Sequence, residues 1–165
     1  NVHVPRGIGE DLAQGCLDYE RAIAAAGGVD VQVLGIGGNG HLGFNEPGSS
    51  FASRTRVQTL TKRTRTDNAR FFDTDFVPTH CVTQGLGTIM EARHLVLTAF
   101  GEGKAEAIAA AVEGPVTAMC PASILQFHPQ ATVVLDEEAA SRLTLIDYYR
   151  DQMQMDPQWN TDALG

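Results

Sequence analysis

The sequence predicts an α/β domain in which a mostly parallel sheet is covered by helices, a three-layer α/β/α arrangement. Two observations carry that expectation. Short apolar, β-branched runs at residues 29–36, 94–100 and 131–135 alternate with segments whose apolar residues recur at helical spacing, the pattern of strands joined by helices. The first of these runs also passes straight into a glycine-rich turn, Gly37-Gly38-Asn39-Gly40. Open α/β sheets bind their ligands at such carboxyl ends of strands.

Taken in order, residues 10–26 read as an amphipathic helix, with Leu12, Cys16, Leu17 and Ile23 at helical spacing and Gly27-Gly28 as its stop. Residues 29–36 form the first strand, and residues 42–61 have no clean period and read as loop. A helix is expected over 64–72, a short strand over 81–84 and a helical turn or two over 87–93. The strand at 94–100 leads to an alanine-rich helix over 104–112, ended by Gly114-Pro115. Pro121 opens a short helix to Phe127, because proline suits a first helical turn. The strand at 131–135 is followed by a helix expected from Glu137. Residues 1–150 thus read as one domain portion, and 151–165 as a polar tail containing Pro157 and Trp159.

Composition narrows the function. The 165 residues hold 12 Lys+Arg against 20 Asp+Glu, a formal net charge of −8, which argues against nucleic acid or an anionic membrane as a partner. No apolar run approaches the ~18 residues of a membrane span. Cys16, Cys81 and Cys120 are an odd, scattered set, so neither a disulfide framework nor a zinc site is expected, and a reducing cytoplasm fits. The chain opens Asn1-Val2-His3 without Met or a basic leader, so it is expected to begin inside a longer protein.

Gly35-Ile36-Gly37-Gly38-Asn39-Gly40 satisfies the dinucleotide-binding pattern G-x-G-x-x-G, but the context fails. Two more glycines and Pro47 follow where a helix should open, and residues 55–65 lack the acidic residue that should bind a ribose. His41 and Glu46 favour another chemistry. A histidine titrating near neutrality, oriented by a carboxylate five residues on, suits proton transfer.

The string Leu34-Gly-Ile-Gly-Gly-Asn-Gly-His-Leu-Gly-Phe-Asn-Glu-Pro47 resembles the active-site signature of the glucosamine-6-phosphate deaminase (isomerase) family. The resemblance continues through Ser53-Arg54-Thr55-Arg56, Asn68-Ala69-Arg70-Phe71-Phe72, Gly101-Glu102-Gly103-Lys104-Ala105, Ala111-Val112-Glu113-Gly114 and Pro121 to Pro129. It implies a Rossmann-like fold and the conversion of glucosamine 6-phosphate and water to fructose 6-phosphate and ammonia, a hydrolytic cleavage of a C–N bond without metal or organic cofactor. The resemblance makes His41 the acid/base that opens the sugar ring, Glu46 its partner, and Arg70 and Lys104 the grip on the substrate phosphate. Some members carry Asp where this chain has Asn39, which is expected to orient the imidazole and to leave it less basic than a carboxylate would. Residues matching Ser49, Arg56 and Thr59 bind an activating sugar phosphate in hexameric members, where Gln58 is replaced by Lys. A homo-oligomer is therefore one implied assembly.

This sequence also departs from the family at its front. Members carry roughly a hundred further residues there, holding a phosphate loop and the Asp that moves a proton between C2 and C1. The fold is accordingly expected to be truncated at the amino terminus, with an unpaired sheet edge and an uncovered apolar face. Asp73 and Asp75 match that base by residue type only, nothing in their spacing supports the substitution, and the base is expected to be absent from this chain. Two rival readings are a 6-phosphogluconolactonase-like hydrolase, whose sequences lack the Leu-Gly-Phe-Asn-Glu-Pro run, and a noncatalytic sugar-phosphate sensor, which needs no His41–Glu46 pair.

Overall fold

The structure, a computed structural model, describes residues 1–72 and 77–156. Asp73, Asp75, Pro157 and Trp159 lie outside the described residues. Helix α1 (Leu12–Ala25) is capped by the Asp11 carboxylate, which accepts from the Gln14 N–H at 2.8 Å. It ends where Gly27 and Gly28 both adopt φ +89°, a left-handed conformation that closes helices and disfavours side chains.

Strand β1 (Val31–Gly35) pairs in parallel with β4 (His94–Ala99), and β4 in parallel with β5 (Ala131–Leu135), giving the sheet order β1-β4-β5. The expected mostly parallel sheet is therefore present. A second, two-stranded sheet pairs β2 (Arg56–Thr59) with β3 (His80–Thr83) in antiparallel fashion. β2 was expected as loop; it carries polar Arg, Gln and Thr, and its partner lies more than twenty residues away in sequence.

Register decides which side of the main sheet holds the core. Leu34, Leu95 and Leu97 share one face with Ala99, all buried, and meet α3 (Leu86–Met90), α4 (Ala105–Val112) and the 3-10 helix Pro121–Phe127 through Leu86, Ile89, Ile108, Ala122 and Leu125. On the opposite face Val31 and Val33 are 55% and 66% exposed and Val134 is 43% exposed. Helices thus cover one face where β4 crosses it, and these valines stand open on the other.

Helix α2 (Lys62–Asn68) begins two residues earlier than expected because the Thr61 hydroxyl caps it, accepting from Thr64 N–H at 3.2 Å. A 3-10 turn, Ala69–Phe71, completes the expected segment. The helix expected from Glu137 is displaced: residues 137–145 are turns, and α5 (Ile146–Met155) follows. Glu113 explains the start of α5, since its carboxylate accepts from Thr144 N–H, Thr144 Oγ1 and Leu145 N–H. No described helix is long and apolar enough to cross a membrane.

Candidate active site

β1 delivers the chain into a turn closed by backbone hydrogen bonds, Gly37 N–H to His41 carbonyl and Gly40 N–H to Gly37 carbonyl, both 2.9 Å. The two distinctive glycines here answer to different constraints. Gly37 lies under the His41 imidazole, and a Cβ there would overlap the ring. Gly40 has φ +80°, and a Cβ would meet Cys120 Sγ at 2.7 Å. Cys120 is buried against the turn, and burial raises its thiol pKa, which fits a small apolar packing residue.

The turn aims His41 into a cleft of about 290 Å³ that is also lined by Gly37, Phe44, Arg70 and Lys104. Chain elements far apart in sequence thus bring His41, Arg70 and Lys104 to one cavity. Arg70 sits exposed on the 3-10 turn after α2, its guanidinium 4.8 Å from the Phe71 ring centroid. Lys104 ends the 3-10 turn before α4, and its Nζ donates to the Ile36 carbonyl at 2.7 Å. That carbonyl offsets the unfavourable position of a cation at a helix start.

Beneath the imidazole, Glu46 is only 4% exposed. Its Oε2 lies 3.7 Å from His41 Nδ1 and accepts from Asn39 Nδ2 at 2.8 Å, while Oε1 accepts from Thr61 N–H at 3.1 Å. Burial pushes the Glu46 pKa upward, but hydrogen bonds from Thr64, Thr61 and Asn39 outweigh it and hold the carboxyl below its ordinary range. Burial lowers the His41 pKa, and Lys104 adds to that, against the opposing pull of Glu46 and Asp67. The site therefore pairs an anionic carboxylate with an imidazole that is mostly neutral at pH 7, able to accept a proton.

The arrangement revises one expectation. Asn39 does not hydrogen-bond the imidazole: its Nδ2 goes to Glu46, and its Oδ1 accepts from the His41 backbone N–H at 3.3 Å. His41 Nδ1 is buried without a hydrogen-bond partner among the described residues. Asn39 thus orients the histidine through its backbone and through Glu46.

Ser49 and Arg56 are brought together, with Arg56 Nη2 donating to Ser49 Oγ at 3.2 Å. Thr59, three residues along β2, falls on the other side of the strand and is exposed. Thr61 and Thr64, which hold Glu46, were absent from the sequence-derived site. The Thr-x-x-Thr spacing at a helix start was the available signal, because such a hydroxyl caps a helix. No cluster of three or more His, Cys, Asp or Glu among the described residues has metal-binding geometry.

Comparison with known proteins identifies the family. The profile of the glucosamine-6-phosphate isomerases/6-phosphogluconolactonase family matches residues 1–134. A glucosamine-6-phosphate deaminase of Streptomyces avermitilis is 64% identical over 157 residues, covering 94% of this chain and 60% of that protein. One from Mycolicibacterium smegmatis is 61% identical over 160 residues, covering 96% and 61%. The chain therefore spans about 60% of the length of these curated relatives. Among solved structures, a monomeric glucosamine-6-phosphate deaminase superposes with TM-score 0.82 at 45% identity, covering 85% of this chain and 58% of that one. A 6-phosphogluconolactonase from Trypanosoma cruzi shares the fold at TM-score 0.63 and 24% identity, covering 83% and 54%. With the family profile matched across most of its length, this chain belongs to the glucosamine-6-phosphate isomerase/6-phosphogluconolactonase family.

Proposed function

We propose that this chain carries the ring-opening and phosphate-gripping part of a glucosamine-6-phosphate deaminase. The supporting observation is the single cleft lined by His41, Arg70 and Lys104, with Glu46 held anionic beneath the histidine. His41, largely neutral at pH 7, takes the proton of the sugar C1 hydroxyl and returns it to the ring oxygen as the pyranose opens. Glu46 offsets the positive charge that develops on the imidazole during that transfer. Arg70 offers a planar fork and Lys104 a point charge to the 6-phosphate. Proton transfer from C2 to C1 then converts the open-chain amino aldose, through an enolamine, to an imine at C2 of the ketose level. Attack of water and loss of ammonia complete a net hydrolytic C–N cleavage.

The names of the curated relatives support deamination over lactone hydrolysis, and the lactonase likeness extends to fold alone. The base for the C2–C1 transfer is not assigned to any described residue. Activity is tested by following ammonia and fructose 6-phosphate release from glucosamine 6-phosphate by the 165-residue chain and by a form extended at its amino end. The extended form is expected to turn over, with His41→Ala lowering kcat by ~100-fold or more, as general acid–base groups contribute. Silence of both forms would remove the enzymatic reading.

A further inference from the structure

The guanidinium of Arg56 is engaged within the chain. Arg56 is half-buried on β2 and points at the loop that carries the acid/base pair. Its Nη1 donates to Asn45 Oδ1 at 2.7 Å, and its Nη2 to Ser49 Oγ at 3.2 Å. Asn45 is fully buried and sits next to Glu46. Its Nδ2 donates to the Leu42 carbonyl at 3.0 Å and the Gln84 carbonyl at 2.8 Å. One amide side chain thus ties both ends of the 42–45 turn to the segment after β3.

Every polar atom of that amide is used, and Arg56 supplies the donor for its oxygen. Removing the guanidinium would leave a carbonyl oxygen buried with no partner, a penalty the turn can relieve only by opening to water. The turn also holds Glu46 by its backbone: Ser49 N–H donates to the Glu46 carbonyl at 3.0 Å and Asn45 N–H to the Leu42 carbonyl at 2.9 Å.

From this we infer that Arg56 is a positioning residue for Glu46, a strut running from β2 through Asn45 to the carboxylate beneath His41. The role rests on the acid/base reading of His41 and Glu46, and it differs from anion binding in that Nη1 and Nη2 each donate within the chain, to Asn45 and to Ser49.

Thr61 N–H reports the outcome directly, because its acceptor is the Glu46 side chain. Leu60 N–H, one residue earlier, donates to the Thr79 carbonyl and reports the β2–β3 ribbon alone. In Arg56→Met, amide hydrogen exchange at Asn45, Ser49 and Thr61 is expected to accelerate about tenfold or more, with Leu60 unchanged. Arg56→Lys, which keeps one charged donor but not the fork, should restore part of the protection. Equal acceleration at Leu60 would mean that Arg56 merely stabilises the ribbon, and unchanged exchange at Asn45 and Thr61 would also overturn the strut. If Arg56→Met does not fold, Arg56→Lys decides alone: Ser49 and Thr61 must accelerate ahead of Leu60. The readout is independent of turnover, so this exchange pattern in a protein whose extended form is also silent would refute the acid/base reading and leave the strut on Glu46 standing.

Discussion

A single oxygen organises the site at the scale of residues. Glu46 Oε2 is shared between the Asn39 amide at 2.8 Å and the His41 imidazole at 3.7 Å. The amide holds the closer position, so the carboxylate is satisfied before the histidine is protonated. In Asn39→Asp the donor becomes a second carboxylate beside the imidazole, which favours the charged form of His41. The His41 pKa is expected to rise, measured by NMR titration of the ring. A fall would show that lost orientation outweighs the added charge. The same wild-type titration has a consequence for stability. Burial keeps the folded-state pKa of His41 below its ordinary 6.5, so the unfolded chain binds the proton more readily. Stability from this group is therefore present above pH 6.5 and is lost as pH falls toward the folded value.

Glu20 shows how elements are fastened to one another around that site. Its carboxylate, 14% exposed, reaches from α1 to accept from Thr55 N–H and Thr55 Oγ1 ahead of β2, from Thr88 Oγ1 on α3, and from Arg54. Arg54 in turn reaches Glu91. Burial works to raise the Glu20 pKa, but these hydrogen bonds prevail and lower it below its ordinary 4.5. The contribution is then fully present above pH 4.5 and fades as pH falls through the folded value. Glu20→Ala is expected to destabilise by about 1–3 kcal/mol, since several donors lose a partly buried acceptor. Urea melts at pH 7 would show this, and the difference between variant and wild type should shrink in acid. A difference that stays constant down to pH 3 would mean that packing of the Glu20 stem, not its charge, supplies the effect.

Legibility followed the same division between local and distant causes. α1, β1, β4 and β5 could be read because their patterns and stops lie within their own segments. β2 could not, because its half-polar sequence becomes a strand only against β3. The start of α5 was missed for a similar reason: Glu113 fixes it from more than thirty residues away. His41 and Glu46 were legible from turn and spacing, whereas Arg70 and Lys104 came from resemblance, since a lone cation has no signature. The bond from Asn39 to Glu46 left no trace in spacing at all.

Across the whole molecule, the sheet has one face packed by helices and one open face. Val31 and Val33 on β1, at an edge of the described sheet, are 55% and 66% exposed, and Val134 on β5 is 43% exposed. On its outer side β1 presents backbone groups without a neighbouring described strand. An apolar face beside an open edge favours pairing with another chain. The 165-residue chain by itself is therefore expected to associate as its concentration rises, seen as earlier elution and a growing mass by light scattering. Val33→Lys places a charge in the middle of the edge strand on that face without touching the core side of the sheet, where Leu34, Leu95 and Leu97 are buried. It should shift the chain toward the monomer while leaving the melting transition within about 0.5 kcal/mol of wild type, as for other exposed substitutions. If wild-type chain stays monomeric at high concentration, the open face is not adhesive. If both chains associate equally, contact is made through another surface, and the exposed phenylalanines Phe100 and Phe127 become the next positions to charge.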